Sequence, residues 1–271
     1  MMLIKKGLII IIIMVLPMID IHSHILPAVD DGSKNEGESL LMLKAAIRDG
    51  IHTIVATPHF NYKSANDKEK VLAEVKRLTQ MIEKTNLEVE VLPGQEIRIY
   101  GEMLEDYEAG KLLTIGGNTN YMLVEFPFRR VPHYAEKLIY NMEVVGVKTV
   151  IAHPERNQEL LEHPEKLYNL VAKGALTQLT ASSLIGYYGK GIRKFSQQLI
   201  EANLVHTIAT DAHNTTTRTF NLSEAYEVIM KKYGSDYVSY FKENAQLMIE
   251  NQPVYDGGAQ PIGRKKFLGI F

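Results

Sequence analysis

The chain of 271 residues has no cysteine and no tryptophan. Without cysteine there is no disulfide, no thiolate zinc site, no cysteine-held iron–sulfur cluster and no thiol nucleophile. Any ester or amide hydrolysis must therefore use other groups. The absence of disulfides fits the cytoplasm, which is the expected location. A charge excess is also missing. Lys and Arg number 30 against 32 Asp and Glu, so 30 − 32 gives −2 with the nine His counted neutral. Non-specific nucleic-acid binders show a basic excess, so no nucleic-acid partner is expected. Neither G-x-x-x-x-G-K-[ST] nor a strand-linked G-x-G-x-x-G occurs, and Gly116-Gly117 lacks that context.

Long apolar runs are scarce too. Lys5-Lys6-Gly7 precedes the run Leu8–Leu16, whose nine residues fall short of the about 20 needed to span a bilayer. The segment shares its charged and apolar parts with signal peptides. No small-residue cleavage motif follows, and Met18-Ile19-Asp20-Ile21-His22 reads as a core strand. Residues 1–17 are therefore expected to be an apolar extension outside the fold, with Met18 as its functional start. Residues 18–271 are expected to form one domain.

From residue 18 onward, apolar β-branched runs alternate with longer amphipathic stretches. Strands are expected at Ile19–His22, Thr53–Ala56, Glu88–Leu92, Tyr121–Val124, Val147–Ala152, Ala175–Leu179 and Leu204–Ala209. Helices are expected near Glu36–Asp49, Asp67–Lys84, Glu102–Ala109, Pro132–Val145, Pro164–Lys173, Ile192–Glu201, Leu222–Lys232 and Asp236–Glu250. Near-continuous apolar strands separated by helices point to a parallel sheet covered on both faces. About seven such units close most naturally into an α/β barrel. The competing open doubly wound sheet lacks its phosphate-binding glycine loop.

Six of these strands run into a His, Glu or Asp. The first leads to His22-Ser23-His24, the second to His59 and the third to Glu96. The fourth leads to Glu125, the fifth to His153 and the last to Asp211-Ala212-His213. In a barrel those ends share one rim, where active sites are built. His with Asp and Glu, and no Cys, is a ligand set for Mn, Fe or Zn. Five His with several carboxylates exceed the needs of one ion, so two or three carboxylate-bridged ions are expected. His52, His133, His163 and His206 read as structural or surface residues. Arg156 and Arg218 stand three and five residues beyond His153 and His213, and a guanidinium fork matches phosphate oxygens. Spacing alone leaves them equally readable as surface ion pairs. Arg129-Arg130, after Phe126-Pro127-Phe128, read as solvated loop charge.

Several motifs carry a family resemblance. They are Asp20-Ile21-His22-Ser23-His24, Asp30-Asp31-Gly32, Thr57-Pro58-His59, Pro93-Gly94-Gln95-Glu96, Val124-Glu125-Phe126, Ala152-His153-Pro154-Glu155-Arg156 and Asp211-Ala212-His213-Asn214. In this order they resemble the polymerase-and-histidinol-phosphatase (PHP) superfamily. Within it the chain is most similar to the metal-dependent protein-tyrosine phosphatases of capsule and exopolysaccharide synthesis in Gram-positive bacteria. The resemblance spans about residues 18–271, including the basic tail Arg264-Lys265-Lys266-Phe267.

The resemblance implies a distorted (β/α)7 TIM-like barrel with three ions, usually Mn2+, with Fe or Zn as alternatives. It assigns His22, His24, Glu96 and Asp211 to one ion. Glu96 would bridge to a second, held also by Glu125 and His153. Asp31, His59 and His213 would hold the third. The sequence does not separate Asp30 from Asp31, and the family pattern favours the one next to Gly32. Arg156 and Arg218 would bind phosphate. Some relatives carry a His after the sixth strand, where this chain reads Thr180-Ala181-Ser182-Ser183-Leu184, so no such role is expected here.

The implied reaction is phosphotyrosine hydrolysis by a metal-bridging hydroxide. The implied partner is the tyrosine-rich C-terminal tail of a membrane-linked bacterial tyrosine kinase, with membrane contact only through that kinase. Three alternatives stand beside it. A PHP phosphatase for a small phosphomonoester such as histidinol phosphate is one. A metal-dependent phosphodiesterase or nuclease is another, opposed by the balanced charge. A degenerate binding barrel is the third, opposed by the filled ligand stations.

Overall fold

The computed structural model describes residues 16–60 and 66–262. The expectations for residues 1–15 and for the tail beyond 262 lie outside the described residues. Nine strands are described: β1 (Met18–Ser23), β2 (Ile51–Ala56), β3 (His59–Phe60), β4 (Glu90–Pro93), β5 (Glu96–Arg98), β6 (Tyr121–Glu125), β7 (Lys148–Ala152), β8 (Leu176–Thr180) and β9 (Thr207–Ala209). All pair in parallel. The helices are α1 (Glu36–Arg48), α2 (Lys68–Thr85), α3 (Met103–Glu108), α4 (Ala135–Val144), α5 (Gln158–Glu162), α6 (Pro164–Val171), α7 (Ala181–Ile185), α8 (Lys190–Glu201), α9 (Leu222–Tyr233) and α10 (Ser235–Ile249). Among the described residues no helix is long and apolar enough to cross a membrane.

The strands form two sheets, β1-β2-β4 and β3-β5-β6-β7-β8-β9. The split falls where two strands break. β2 gives way to β3 across Thr57-Pro58, and β4 to β5 across Gly94-Gln95. Pro58 has no N–H for a ladder. Gly94 lies so close to β2 that a Cβ there would stand 2.8 Å from Val55 Cγ1. Counting β2/β3 and β4/β5 as broken single strands gives seven staves. The ring closes between the last and the first. Asp211 N donates to His22 O and His24 N to Ala212 O, both at 2.8 Å. Asp20 reinforces the seam by accepting from Thr210 N at 2.9 Å. The chain is thus a distorted seven-stave barrel.

Period-two alternation sorts its side chains. Ile19, Ile21, Val55, Leu123, Val150 and Ala209 belong to an interior cluster, while Ile54, Met122, Val124, Ile151 and Ile208 belong to the layer under the helices. Glu125 therefore shares the inward face of Tyr121 and Leu123 and ends in the barrel mouth. Helices α1 and α2 begin at polar caps. Asn35 accepts from Glu38 N at 3.0 Å and Asp67 from Lys70 N at 2.9 Å, and Pro164 opens α6 where its missing N–H costs nothing.

Candidate metal centre

At β1 the pairing register is irregular between Asp20 and Ser23. The bend lets His22 and His24, two residues apart, face one another at 3.2 Å between their Nε2 atoms. Both are fully buried. The chain then folds back on itself, with Ser33 N donating to His24 O at 3.1 Å. Gly32 sits in that turn because a Cβ would lie 2.0 Å from His24 O. The turn separates the two aspartates. Asp30 Oδ2 meets His24 Nδ1 at 2.7 Å and accepts from His59 N at 2.9 Å. The Asp31 side chain stays 61% exposed, with Oδ1 3.4 Å from His59 Nε2 and 3.3 Å from His213 Nε2.

The parallel register sets His59 of β3 opposite Glu96 of β5. Glu96 Oε2 lies 2.8 Å from His59 Nδ1, 3.3 Å from His24 Nε2 and 3.4 Å from His22 Nε2. Its other oxygen meets His153 Nε2 at 2.7 Å. His153 Nε2 is also 4.0 Å from Glu125. Asp211 Oδ1 is 3.5 Å from His22 Nε2 and 3.3 Å from His24 Nε2. His153 and Asp211 have φ of 34° and 54°. Left-handed backbone at non-glycine residues costs roughly 1 kcal/mol or more, and here it turns the strand ends sharply at the mouth.

Three ligand-capable sets overlap, each with its donor atoms within 4.8 Å of one another: His24-Asp31-His59-His213, His22-His24-Glu96 and His59-Glu96-Glu125. His59 belongs to two of them, whereas the resemblance gave it to one. The donor chemistry fits cations. His22 Nδ1 faces the Gln178 Oε1 acceptor at 2.9 Å, His24 Nδ1 faces the Asp30 carboxylate, and His213 Nδ1 faces the Asp211 carbonyl at 2.9 Å. Each Nδ1 thus carries the proton and each Nε2 turns a lone pair inward. Among the described residues, His213 Nε2 and Glu96 Oε2 are buried and, for all their close neighbours, make no hydrogen bond of good geometry. Lone pairs facing each other out of water are repulsive unless positive charge lies between them.

The field of the site favours positive charge there, carried by a proton on the imidazole when no cation is present. Burial alone lowers an imidazole, yet Glu96 and Asp211 outweigh it and hold His22 above its usual value. Burial is likewise outweighed at Glu96, where His22 and His153 keep the carboxyl well below its usual range. Glu125 is pushed up to about 7, by burial and then by Glu96. His153 is pushed down to about 4, by burial and then by Arg156.

Arg156 Nη2 reaches Asp211 Oδ2 at 2.6 Å, and Arg218 Nη2 reaches the same oxygen at 2.9 Å. Among the described residues neither buried Nε has a hydrogen-bond partner. The two arginines border a cavity of about 320 Å3 that also takes in Glu96, Glu125, His153 and Asp211. All eleven expected site residues thus stand at one barrel end. Spacing did not find three supports: Asp30 behind His24, Gln178 behind His22, and Glu155. Glu155 is buried before Arg156 and accepts from Thr180 N at 3.1 Å and Ser183 Oγ at 2.7 Å. Gln178 leaves one trace, an amide two residues after Leu176 on the inward face of β8. Of the other histidines, His52, His133 and His163 are exposed, and His206 is buried away from the site.

The family model "Capsular polysaccharide synthesis, CpsB/CapC" matches residues 18–250. The chain belongs to the CpsB/CapC family. A CpsB/CapC relative, the tyrosine-protein phosphatase YwqE of Bacillus subtilis, is 48% identical over 257 residues, which cover 94% of this chain and all of YwqE. The tyrosine-protein phosphatase CpsB of Streptococcus agalactiae serotype III is 31% identical over 241 residues, 86% of this chain and 99% of CpsB. A crystal structure from the pair YwqE of Bacillus subtilis and CpsB of Streptococcus pneumoniae, described as unique metal-dependent tyrosine phosphatases, superposes with a TM-score of 0.89. It is 47% identical and covers 91% of this chain and 100% of its own. An organophosphorus hydrolase of Deinococcus radiodurans, 11% identical with a TM-score of 0.51 over 86% of this chain, shares the fold alone.

Proposed function

We propose that this CpsB/CapC chain is a metal-dependent protein-tyrosine phosphatase, a phosphoric monoester hydrolase that acts on phosphotyrosine in protein. The observation that carries the reading is one buried cluster of inward imidazole and carboxylate donors beside two arginines at a single cavity. The close relatives supply the activity class. His22, His24, Glu96 and Asp211 would hold one ion, Glu96, Glu125 and His153 a second, and Asp31, His59 and His213 a third. His59 Nδ1 lies close enough to Glu96 to serve the second set as well. Manganese is the metal we assign. The substrate we assign is the tyrosine-bearing tail of a capsule-synthesis kinase, met in the cytoplasm, and residues 18–271 are assigned to one domain.

When bound, the ions supply Lewis-acid charge beside the phosphoryl group and lower the pKa of an attacking water. The protein residues do the rest. Arg156 and Arg218 would hold phosphoryl oxygens through guanidinium N–H groups other than those they give to Asp211. Asp211 fixes both arginines before substrate arrives, so little reorganisation remains for the transition state. Asp30 and Gln178 hold His24 and His22 in the tautomer that faces the cluster. The tyrosyl oxygen leaves as a phenolate, whose conjugate acid has a pKa of about 10, so no dedicated proton donor is required.

The test is removal and return of metal. Chelation should abolish hydrolysis of a phosphotyrosyl peptide, and Mn2+ should restore it, with bound metal counted by elemental analysis. Full activity in a thoroughly stripped sample would overturn the reading.

A further inference from the structure

Beside the arginines the cavity has an aromatic part. Phe126, Phe128 and Tyr188 line it, with Pro154. Phe126 is buried, but Phe128 is 67% exposed. An exposed phenyl ring on a loose loop would mean little. Here the loop is not loose. Gln158 N donates to Phe128 O at 3.0 Å. Asn157 Nδ2 donates to Pro127 O at 2.9 Å and to Arg130 O at 3.3 Å. Val131 N donates to Glu159 Oε2 at 2.6 Å. The backbone on both sides of Phe128 is therefore tied to the start of α5, directly after Arg156. The same segment that presents the arginine fixes the backbone that carries the ring.

Tyr188 approaches from elsewhere in the chain, after α7. Its ring stands 5.5 Å from Arg156 Cζ and packs edge-on against Tyr187 at 5.3 Å. A guanidinium over an aromatic face is held in plane by that contact. Tyr188 thus touches the phosphate-binding residue while exposing part of its ring to the same cavity. The fold adds apolar, planar walls next to a charged phosphate seat, and burying catalytic ligands does not require them.

We propose that Phe128 and Tyr188 form an aryl subsite that receives the ring of the scissile phosphotyrosine and selects aryl over alkyl phosphomonoesters. This rests on the phosphatase reading above and names the residues that set its substrate class. A cavity of about 320 Å3 is at the lower end for small-ligand sites, and its polar side is taken up by groups suited to phosphate. The aryl ring then stacks on or against the edges of the two side chains, in the offset or edge-on geometries aromatic pairs prefer. An alkyl chain in the same place loses that contact.

The experiment uses the manganese-loaded full chain and two phosphonates that cannot be hydrolysed, phenylphosphonate and methylphosphonate, with binding read by calorimetry. The wild type should favour phenylphosphonate by about tenfold or more. Phe128→Leu and Tyr188→Leu should each cut that preference several-fold, mainly by weakening phenylphosphonate, while Phe128→Tyr and Tyr188→Phe keep it. Phe128 is mostly exposed, so its variants should melt like the wild type. An equal loss for both phosphonates, or an unchanged ratio in both leucine variants, would overturn the aryl subsite. Turnover of a phosphotyrosyl peptide by the wild type is measured separately. Strong, Phe128-dependent phenylphosphonate binding without turnover would keep the subsite and end the phosphatase reading.

Discussion

At the scale of the residue, the site separates side chains that meet the ligand from those that hold them. Arg156 meets the phosphoryl group in the proposed mechanism, so Arg156→Ala should lower kcat/KM by about 10²–10³, the usual loss when one donor to a developing charge is removed. Its metal content should stay near that of the wild type. Loss of metal instead would move Arg156 from phosphate binding to support of the cluster. Asp30 acts one step back, through His24 Nδ1 and the His59 N–H. Burial raises its carboxyl, but the His24 contact outweighs this and keeps it ionised. Asp30→Ala should weaken metal binding by about 10–100-fold, seen in a titration of metal against bound metal rather than against rate alone. The ligand-type residues were legible because all but Asp31 follow an apolar strand and the order of motifs is specific. Asp30 and Asp31 were not separable, because their difference is one of direction. The close approach of Gly32 to His24 O turns one carboxylate back and leaves the other forward, and no pattern of residue types encodes that.

At the scale of the element, the long amphipathic helices and the strands between them were readable to within a few residues. Five pieces were not, one of them the 3-10 turn Pro154–Arg156 that carries Arg156. β3 and β5 have two and three residues and continue strands broken at Pro58 and Gly94. α5 and α7 have five residues each, too few for a helical period to show. These short pieces position the site. α5 begins at Asn157, whose Oδ1 caps Leu160 N at 3.0 Å while its Nδ2 holds the loop of Phe128. α7 supplies the Ser183 hydroxyl that holds Glu155. Asn157→Ala should remove a cap and the loop contacts together, at about 2 kcal/mol. The melting temperature should fall by about 4–8 °C, and KM for a phosphotyrosyl peptide should rise more than kcat falls. Equal stability in the variant would show that the loop is held by its other hydrogen bonds alone.

At the scale of the whole molecule, the alternation of strands and helices made the barrel legible, but its closure was not. The seam lies between β9 and β1, elements nearly two hundred residues apart, and depends on Asp20, Thr210 and the backbone of His22 to Ala212. Away from that seam, His206 just before β9 offers a clean probe of global stability. It is buried, and its Nδ1 accepts from Thr177 N at 3.1 Å. Burial pushes its pKa down to about 4, whereas in the unfolded chain it is about 6.5. The unfolded state therefore takes up this proton first. Stability is full above pH 6.5 and falls as pH drops toward 4, by about 1.4 kcal/mol at pH 5.5 and by roughly 3 kcal/mol at the limit. The histidines of the candidate metal cluster also titrate, so the comparison must cancel them. His206→Asn keeps an acceptor for Thr177 N and removes the proton. Melted side by side with the same metal load, the variant should lose less stability than the wild type between pH 7 and 5.5, by about 3–6 °C. Parallel curves would mean that His206 keeps its proton in the folded barrel, and acid sensitivity would then belong to the metal cluster alone.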